Sequence, residues 1–213
     1  GIRDRSPSRG LGDVYKRQIL GCGAIGSSTA IQLARMGAET FYLYDFDKVE
    51  EPNIGVSQYT YKDIGKPKVD ALKEIILDIS KFAEVTSHNS KFDGYDSDGK
   101  DIVILGFDSM ASRWEAIDII VKLMKTKPFC LIDGRMGAEH YQQYTFKDLT
   151  LSTYKKNWYS DDEGDPEPCS MKATSYCSNM AGSFIVNTIR KVLTEQPYDK
   201  EFNFNFPLLR LGK

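Results

Sequence analysis

The chain has 213 residues, of which 41% are hydrophobic, and its 28 Lys and Arg set against 30 Asp and Glu give a formal net charge of -2. That apolar content supports one sizeable packed domain and excludes wholesale disorder. The interspersed charges leave no electrostatic footprint for nucleic acid or an anionic membrane, and no apolar run approaches the roughly 18 residues of a membrane span. Four cysteines, Cys22, Cys130, Cys169 and Cys177, are too few for a disulfide scaffold and fit a reduced, cytoplasmic protein.

Residues 1–18 (GIRDRSPSRGLGDVYKRQ) are rich in Arg, Ser and Gly and lack helix or strand periodicity. They resemble translated adapter sequence and are set apart as a non-native or disordered N-terminal segment, leaving 19–213 as a single domain. A strand is expected at 18–21 and a helix at 25–36, with Ile25, Leu33 and Met36 on one side and Gly37 as its C-cap. The β-rich TFYLYD predicts a strand over 40–45. Residues 66–79 read as an amphipathic helix with Pro67 in its first turn and Val69, Leu72, Ile75, Ile76 and Ile79 on the buried stripe. Short strands are expected at 84–88 and 128–133, with a doubly buried strand at 101–107 (DIVILGF) and a helix over 110–126 between them. An outer strand at 140–146, a mobile crossing loop at 147–168, a long helix at 175–193 and a last strand at 202–211 complete the chain. The alternation predicts an α/β, Rossmann-like fold: a mostly parallel sheet with helices on both faces and a C-terminal antiparallel extension.

The chemistry concentrates between residues 21 and 68. GCGAIG sits between a strand and a helix, the position of a phosphate-binding turn. Gly21 allows the tight turn, Gly23 the approach of backbone to phosphate, and Gly26 close packing of helix on strand. Ala24 and Ile25 begin the helix, whose N-terminus offers free N–H groups and a positive dipole end to an anion. Asp45 follows roughly 20 residues on, where a carboxylate can accept from ribose hydroxyls, although an Asx turn would equally suit an aspartate there. Together these features point to an adenine nucleotide, either a redox dinucleotide or ATP.

From Asp45 the chain continues DFDKVEEPNIGVSQYTYKDIGKPK, and further on DIVILGFD ends at Asp108 with Arg113 five residues later. This order of motifs resembles the ThiF/HesA adenylyltransferases, relatives of the ubiquitin-activating enzymes, over about residues 19–211. The resemblance implies an ATP- and Mg²⁺-dependent adenylyltransferase that activates the C-terminal carboxylate of a small ubiquitin-like or sulfur-carrier protein. It also implies a homodimer or heterodimer. Asp45 would bind ribose, Asp47 and Asn53 would contact ATP, and Lys68 and Asp108 would be catalytic, with Asp108 holding the metal. The residue chemistry agrees: Lys68 at a helix start is a point charge for phosphate oxygens, and Asp108 ends a buried strand where open sheets bind ligands. Asp108 fits a helix N-cap as well, and one aspartate can serve both ends.

The chain departs from the family pattern in one place. An Arg usually follows the Asn by three residues; here the stretch Asn53-Ile54-Gly55-Val56-Ser57-Gln58 has none. Alternatives therefore stand beside the enzyme: a non-catalytic ATP-binding partner subunit, adenylation of a peptide or tRNA-borne carboxylate, or an NAD-dependent oxidoreductase. The family also places a cysteine that takes the activated carboxyl where PEPCSMKATSYC puts Cys169, with Lys172 near enough in sequence to favour its thiolate. Cys177 reads as core and Cys22 as a small packing residue. No C-x-x-C pair is present to make a zinc site.

Overall fold

The computed structural model describes residues 14–163 and 174–212. Its centre is a sheet of eight strands in the order β3-β2-β1-β4-β5-β6-β7-β8. The first five in that order are parallel: β3 (Glu84–His88), β2 (Thr40–Tyr44), β1 (Lys16–Leu20), β4 (Asp101–Leu105) and β5 (Cys130–Gly137). The other three, β6 (His140–Phe146), β7 (Glu201–Asn205) and β8 (Arg210–Gly212), extend the sheet in antiparallel fashion. The expected Rossmann-like architecture is therefore present.

Every residue of β4 is buried, because helices cover both faces of the sheet at that point. On one face Ile19, Ile102, Ile104 and Ile132 pack with Leu33 of α1 (Ala24–Arg35), Leu72 and Ile76 of α3 (Lys68–Ile79), and Ile185 and Ile189 of α6 (Ser175–Leu193). On the other face Leu20, Val103, Leu105 and Leu131 meet Ile117 and Ile120 of α4 (Met110–Leu123) and Tyr154 of α5 (Leu151–Lys155). The apolar spacing of each helix selects its sheet face. Among the described residues no helix is long and apolar enough to cross a membrane.

Register places the site. Leu20 stands opposite Tyr44 on one side and Leu105 on the other. The chain therefore leaves β1, β2 and β4 at one level, with Gly21, Asp45 and Gly106 side by side. Strand order reverses at β1, the switch point where open sheets form ligand crevices.

Several boundaries differ from expectation. β1 starts at Lys16, inside the segment set apart as 1–18, because Arg17 and Gln18 are buried between neighbouring strands. Helix α3 starts at Lys68, since Pro67 stands at its N-cap with ψ 135, outside the helical region. A short helix α2 (Glu51–Ile54) and a 3-10 turn at Tyr61–Asp63 interrupt the connection before it. Residues 147–168, expected as one loop, include α5, which is anchored by a fully buried Tyr154, and a 3-10 turn at Asp161–Glu163. The expected last strand is two, β7 and β8, a hairpin broken at Phe206–Leu209, where Pro207 lacks a donor and Leu209 has φ 48. Residues 164–168 of the crossing loop, and Cys169 and Lys172 after it, lie outside the described residues.

Candidate functional site

The level ends of β1, β2 and β4 open into a cleft of about 390 Å³. Gly21 crosses its floor with φ +92, and a Cβ there would lie 2.8 Å from the Gly106 carbonyl carbon. Gly26 lies closer still to its neighbours, since a Cβ would sit 1.9 Å from the Gly21 oxygen. These two glycines let β1, β4 and α1 converge on one point. Gly23 is the N-cap of α1 and contributes no side-chain cap, and no acidic residue occupies the first turn. The N–H groups of that turn are therefore free for an anion in the cleft, which Gly23, Ala24 and Ile25 line.

Asp45 binds the turn to the end of β2. Its Oδ2 accepts from the Cys22 N–H at 2.8 Å, and its Oδ1 accepts from the Asp47 N–H at 2.8 Å in an Asx turn. Both expected uses of this aspartate are compatible, because each carboxylate oxygen can accept a further hydrogen bond and Asp45 lines the cleft. Burial raises its pKa above the ordinary 3.8, against the lowering effect of those N–H groups and of Lys68.

Lys68 opens α3, is 9% exposed and lines the cleft, with its Nζ 2.8 Å from Asp47 Oδ2. Burial acts to lower its pKa, but the Asp47 hydrogen bond and the charges of Asp45 and Asp108 outweigh it, and the ammonium is held charged. Tyr59 sets the distance between turn and helix: its hydroxyl sits between the carbonyls of Cys22, at 2.5 Å, and Lys68, at 3.2 Å. Nothing in the periodicity marked Tyr59. Asn53, expected to face the nucleotide, is not among the cleft-lining residues; its Oδ1 accepts from Glu50 N–H at 2.9 Å and closes the capping box of α2.

Asp108 is exposed at the cleft wall beyond β4, and the cap of α4 is Ser109, whose Oγ accepts from Ser112 N–H at 3.1 Å. The cap role left open for Asp108 is therefore filled by its neighbour. Arg113 turns inward beneath it, 3% exposed, and donates to the Phe107 and Leu105 carbonyls and to Asp133. Asp133 is fully buried and also accepts from Arg135, at 2.9 and 2.7 Å, and from the Tyr154 hydroxyl at 2.9 Å. Arg113 thus fixes the backbone that carries Asp108 and does not itself face the cleft.

Four carboxylates line the cleft (Asp45, Asp47, Asp108 and Glu115) against two ammonium groups, Lys68 and Lys91. Lys91 also lies 5.8 Å over the Phe46 ring at the rim. Tyr44, Phe46 and Phe92 give that end of the cleft an aromatic wall. Of the groups missed in the sequence, Ser112 and Glu115 had a usable signal: their spacing in a helix starting after Asp108 puts them on one side.

The sheet order, turn and cleft define a Rossmann-like α/β domain with a phosphate-type turn at its switch point. The chain belongs to the ThiF family, which residues 12–211 match. It is similar to ubiquitin-like modifier-activating enzyme 5 of Branchiostoma floridae, 35% identical over 86 residues, a match covering 38% of this chain and 21% of that protein. It is also similar to the adenylyltransferase and sulfurtransferase MOCS3 of Culex quinquefasciatus, 26% identical over 112 residues, covering 50% of this chain and 26% of that protein. Among solved structures, E. coli MccB with ATP superposes with a TM-score of 0.71 at 16% identity, covering 92% of this chain and 62% of that one. PaaA superposes with a TM-score of 0.69 at 19% identity, with the same coverage of both chains. The chain thus spans about a quarter or less of these curated relatives, and the structural likeness is one of fold.

Proposed function

We propose that the chain is the adenylation domain of an ATP- and Mg²⁺-dependent adenylyltransferase that activates the C-terminal carboxylate of a small ubiquitin-like or sulfur-carrier protein. The observation that carries this reading is the convergence of the bare α1 N-terminus, Asp45, Lys68 and Asp108 on one cleft. In the reaction, a carboxylate oxygen of the carrier bonds to the α-phosphorus of ATP. The bond to the bridging oxygen breaks, and pyrophosphate leaves. The α1 N–H groups and Lys68 stabilise the charge that develops on phosphate oxygens, and Asp45 orients the ribose. A cleft with more carboxylates than ammonium groups needs a further cation before it accepts a triphosphate. Asp108 would hold Mg²⁺, an ion that keeps few protein carboxylates and neutralises phosphate charge when bound. The names of the relatives support the acceptor class, which is a ubiquitin-like modifier for one and a sulfurtransferase-linked adenylation for the other.

The protein is placed in the cytoplasm by this proposal, as a dimer with itself or with a homologue. Cys169 is assigned the thioester-forming step, in which its thiolate bonds to the carbonyl carbon of the acyl adenylate, the bond from that carbon to the phosphate oxygen breaks, and AMP leaves. One specific observation favours a second reading, a non-catalytic nucleotide-binding subunit: among the described residues lining the cleft there is no arginine. The deciding experiment is exchange of labelled pyrophosphate into ATP in the presence of a carrier ending in Gly-Gly encoded beside this protein. Exchange that disappears in Lys68→Ala and Asp108→Ala is the expected result. ATP binding without exchange would establish the subunit reading, and tight NAD binding without ATP binding would overturn both.

A further inference from the structure

Helices α1 and α4 both begin at the cleft, and their N-termini are capped differently. The first turn of α1 has no side-chain cap, whereas the first four N–H groups of α4 all have acceptors. Ser112 N–H donates to the Ser109 hydroxyl at 3.1 Å and Arg113 N–H to the Ser109 carbonyl at 3.3 Å. The first two, those of Met110 and Ala111, donate to Asp161 Oδ1 at 2.7 Å and Oδ2 at 3.2 Å. A carboxylate 51 residues beyond Met110 thus spans both amides, where the positive end of the helix dipole favours it.

Trp158 holds the other polar group of the same residue. Its Nε1 donates to the Met110 carbonyl at 3.0 Å, and its ring lies 5.2 Å from that of Trp114 on α4. The segment is itself fixed just upstream: the Tyr154 hydroxyl donates to Asp133 at 2.9 Å, and Arg135 Nη1 donates to the Asn157 carbonyl at 2.6 Å. No described residue between β6 and α6 lines the cleft, yet this segment grips Met110 through both its N–H and its carbonyl.

The residue these contacts act on is Asp108. Its turn is held at one end by Arg113, on the Phe107 carbonyl, and at the other by Asp161 and Trp158, on Met110. Asp108 is exposed at the cleft wall, so the backbone on either side sets where its carboxylate stands. Ser112 and Glu115 line the same cleft from the first turns of α4, and a shift at the start of that helix carries them with it.

We propose that Asp161 and Trp158 are positioning residues for Asp108: the segment after α5 holds the first turn of α4 and with it the carboxylate that lines the nucleotide cleft. The hold on the turn follows from this geometry alone, while its effect on a metal–nucleotide complex rests on the adenylation reading. Loss of a helix cap shifts a local equilibrium by about fivefold, and apparent affinity for a ligand that needs the ordered turn falls by the same factor.

The test compares the full chain with Asp161→Ala, Asp161→Asn, Trp158→Phe and Asp162→Asn, the last removing the same charge from the adjacent residue. Hydrogen exchange over residues 107–112 of the ligand-free chain should quicken about fivefold in Asp161→Ala and Trp158→Phe. It should quicken less in Asp161→Asn, which keeps one acceptor oxygen, and stay unchanged in Asp162→Asn. Calorimetry then measures ATP binding with and without Mg²⁺. In Asp161→Ala the Mg²⁺ concentration for half-maximal effect should rise about fivefold while Mg²⁺-free ATP affinity is unchanged, a split that a role in stability alone would not produce. Unchanged exchange in Asp161→Ala, equal effects of Asp161→Ala and Asp162→Asn, or equal losses of ATP affinity with and without Mg²⁺ would overturn the positioning role. If the unaltered chain binds no ATP under either condition, the adenylation reading falls instead, and exchange alone decides whether the segment holds the turn.

Discussion

Lys68 Nζ and Asp47 Oδ2 stand 2.8 Å apart at the mouth of the cleft, with the lysine side chain 11% and the aspartate 47% exposed. The pair aims the ammonium before any ligand arrives, so the rotamer entropy of a long side chain is already lost. Charge-assisted contacts to a phosphate contribute about 2 kcal/mol, which sets the expectation for Lys68→Ala at roughly a 30-fold loss in ATP affinity. Asp47→Asn should cost less, because Lys68 keeps its charge and the fields of Asp45 and Asp108. Calorimetric titration with ATP and Mg²⁺ measures both. Equal losses in the two variants would show that the pair acts as one structural unit instead.

Asp133 has three buried donors around it, Arg113, Arg135 and the Tyr154 hydroxyl, and no exposure of its own. Removing its charge by Asp133→Leu leaves two guanidinium groups uncompensated in the interior, a loss of about 3–5 kcal/mol. Arg113→Met leaves Asp133 paired with Arg135 and should cost less stability. It releases the Phe107 and Leu105 carbonyls, however, and with them the backbone before Asp108. Urea unfolding should therefore rank Asp133→Leu as the more damaging, while pyrophosphate exchange ranks Arg113→Met lower than its stability loss explains. A variant that is stable and fully active would remove Arg113 from any positioning role.

The sequence carried most of the sheet and the outline of the cleft, for identifiable reasons. β3, β6 and α6 have the bounds their patterns predicted, because each is a clean period between breakers. Gly21, Gly26 and Asp45 could be placed because backbone sterics and one hydrogen-bonding carboxylate define their roles locally. Tyr59 and Asp133 could not be placed, since the Cys22 carbonyl and the Arg113 guanidinium that pair with them lie at |i−j| of 37 and 20 and no local period encodes such pairings. Asn53 is the opposite case. Its family position suggested a ligand contact, while its own chain three residues back offered a capping bond. Lys16 to Gln18 were set apart on composition, yet burial between β2 and β4 decides the start of β1.

Two carboxylates near α3 should respond to acid with opposite sign. For Asp63, burial acts to raise the pKa, but the Thr60 N–H and hydroxyl and Lys66 outweigh it and hold it below 3.8. Its stabilisation is complete above the unfolded value and is lost as pH falls through the folded one. Asp45 is raised above 3.8, so the native state takes up its proton more readily than the unfolded chain does. Its contribution worsens as pH rises through the folded value. Urea unfolding between neutral and acid pH should show the deficit of Asp63→Asn shrinking on acidification and the deficit of Asp45→Asn widening. Parallel curves for both variants would refute the assignment.

Thiol reactivity should separate the three described cysteines, all fully buried, from a Cys169 that takes the activated carboxyl. Cys22 is fully buried in the glycine turn, and burial together with the Asp45 charge drives its pKa well up, only partly offset by Lys68. Burial pushes the Cys130 thiol on β5 up to about 12. Cys177 is fully buried on α6. The thiolate is the reactive form, and a buried thiol must be exposed before it is alkylated. Iodoacetamide at neutral pH should therefore spare Cys22, Cys130 and Cys177 in the native protein and modify all four cysteines in urea, read by peptide mass spectrometry. If modification of the native chain stops at Cys169 and abolishes carrier thioester while pyrophosphate exchange continues, adenylation and sulfur attack are separate steps on separate groups. A thioester that survives complete blocking of Cys169 would remove that residue from the reaction and leave the cleft residues as the whole of the chemistry.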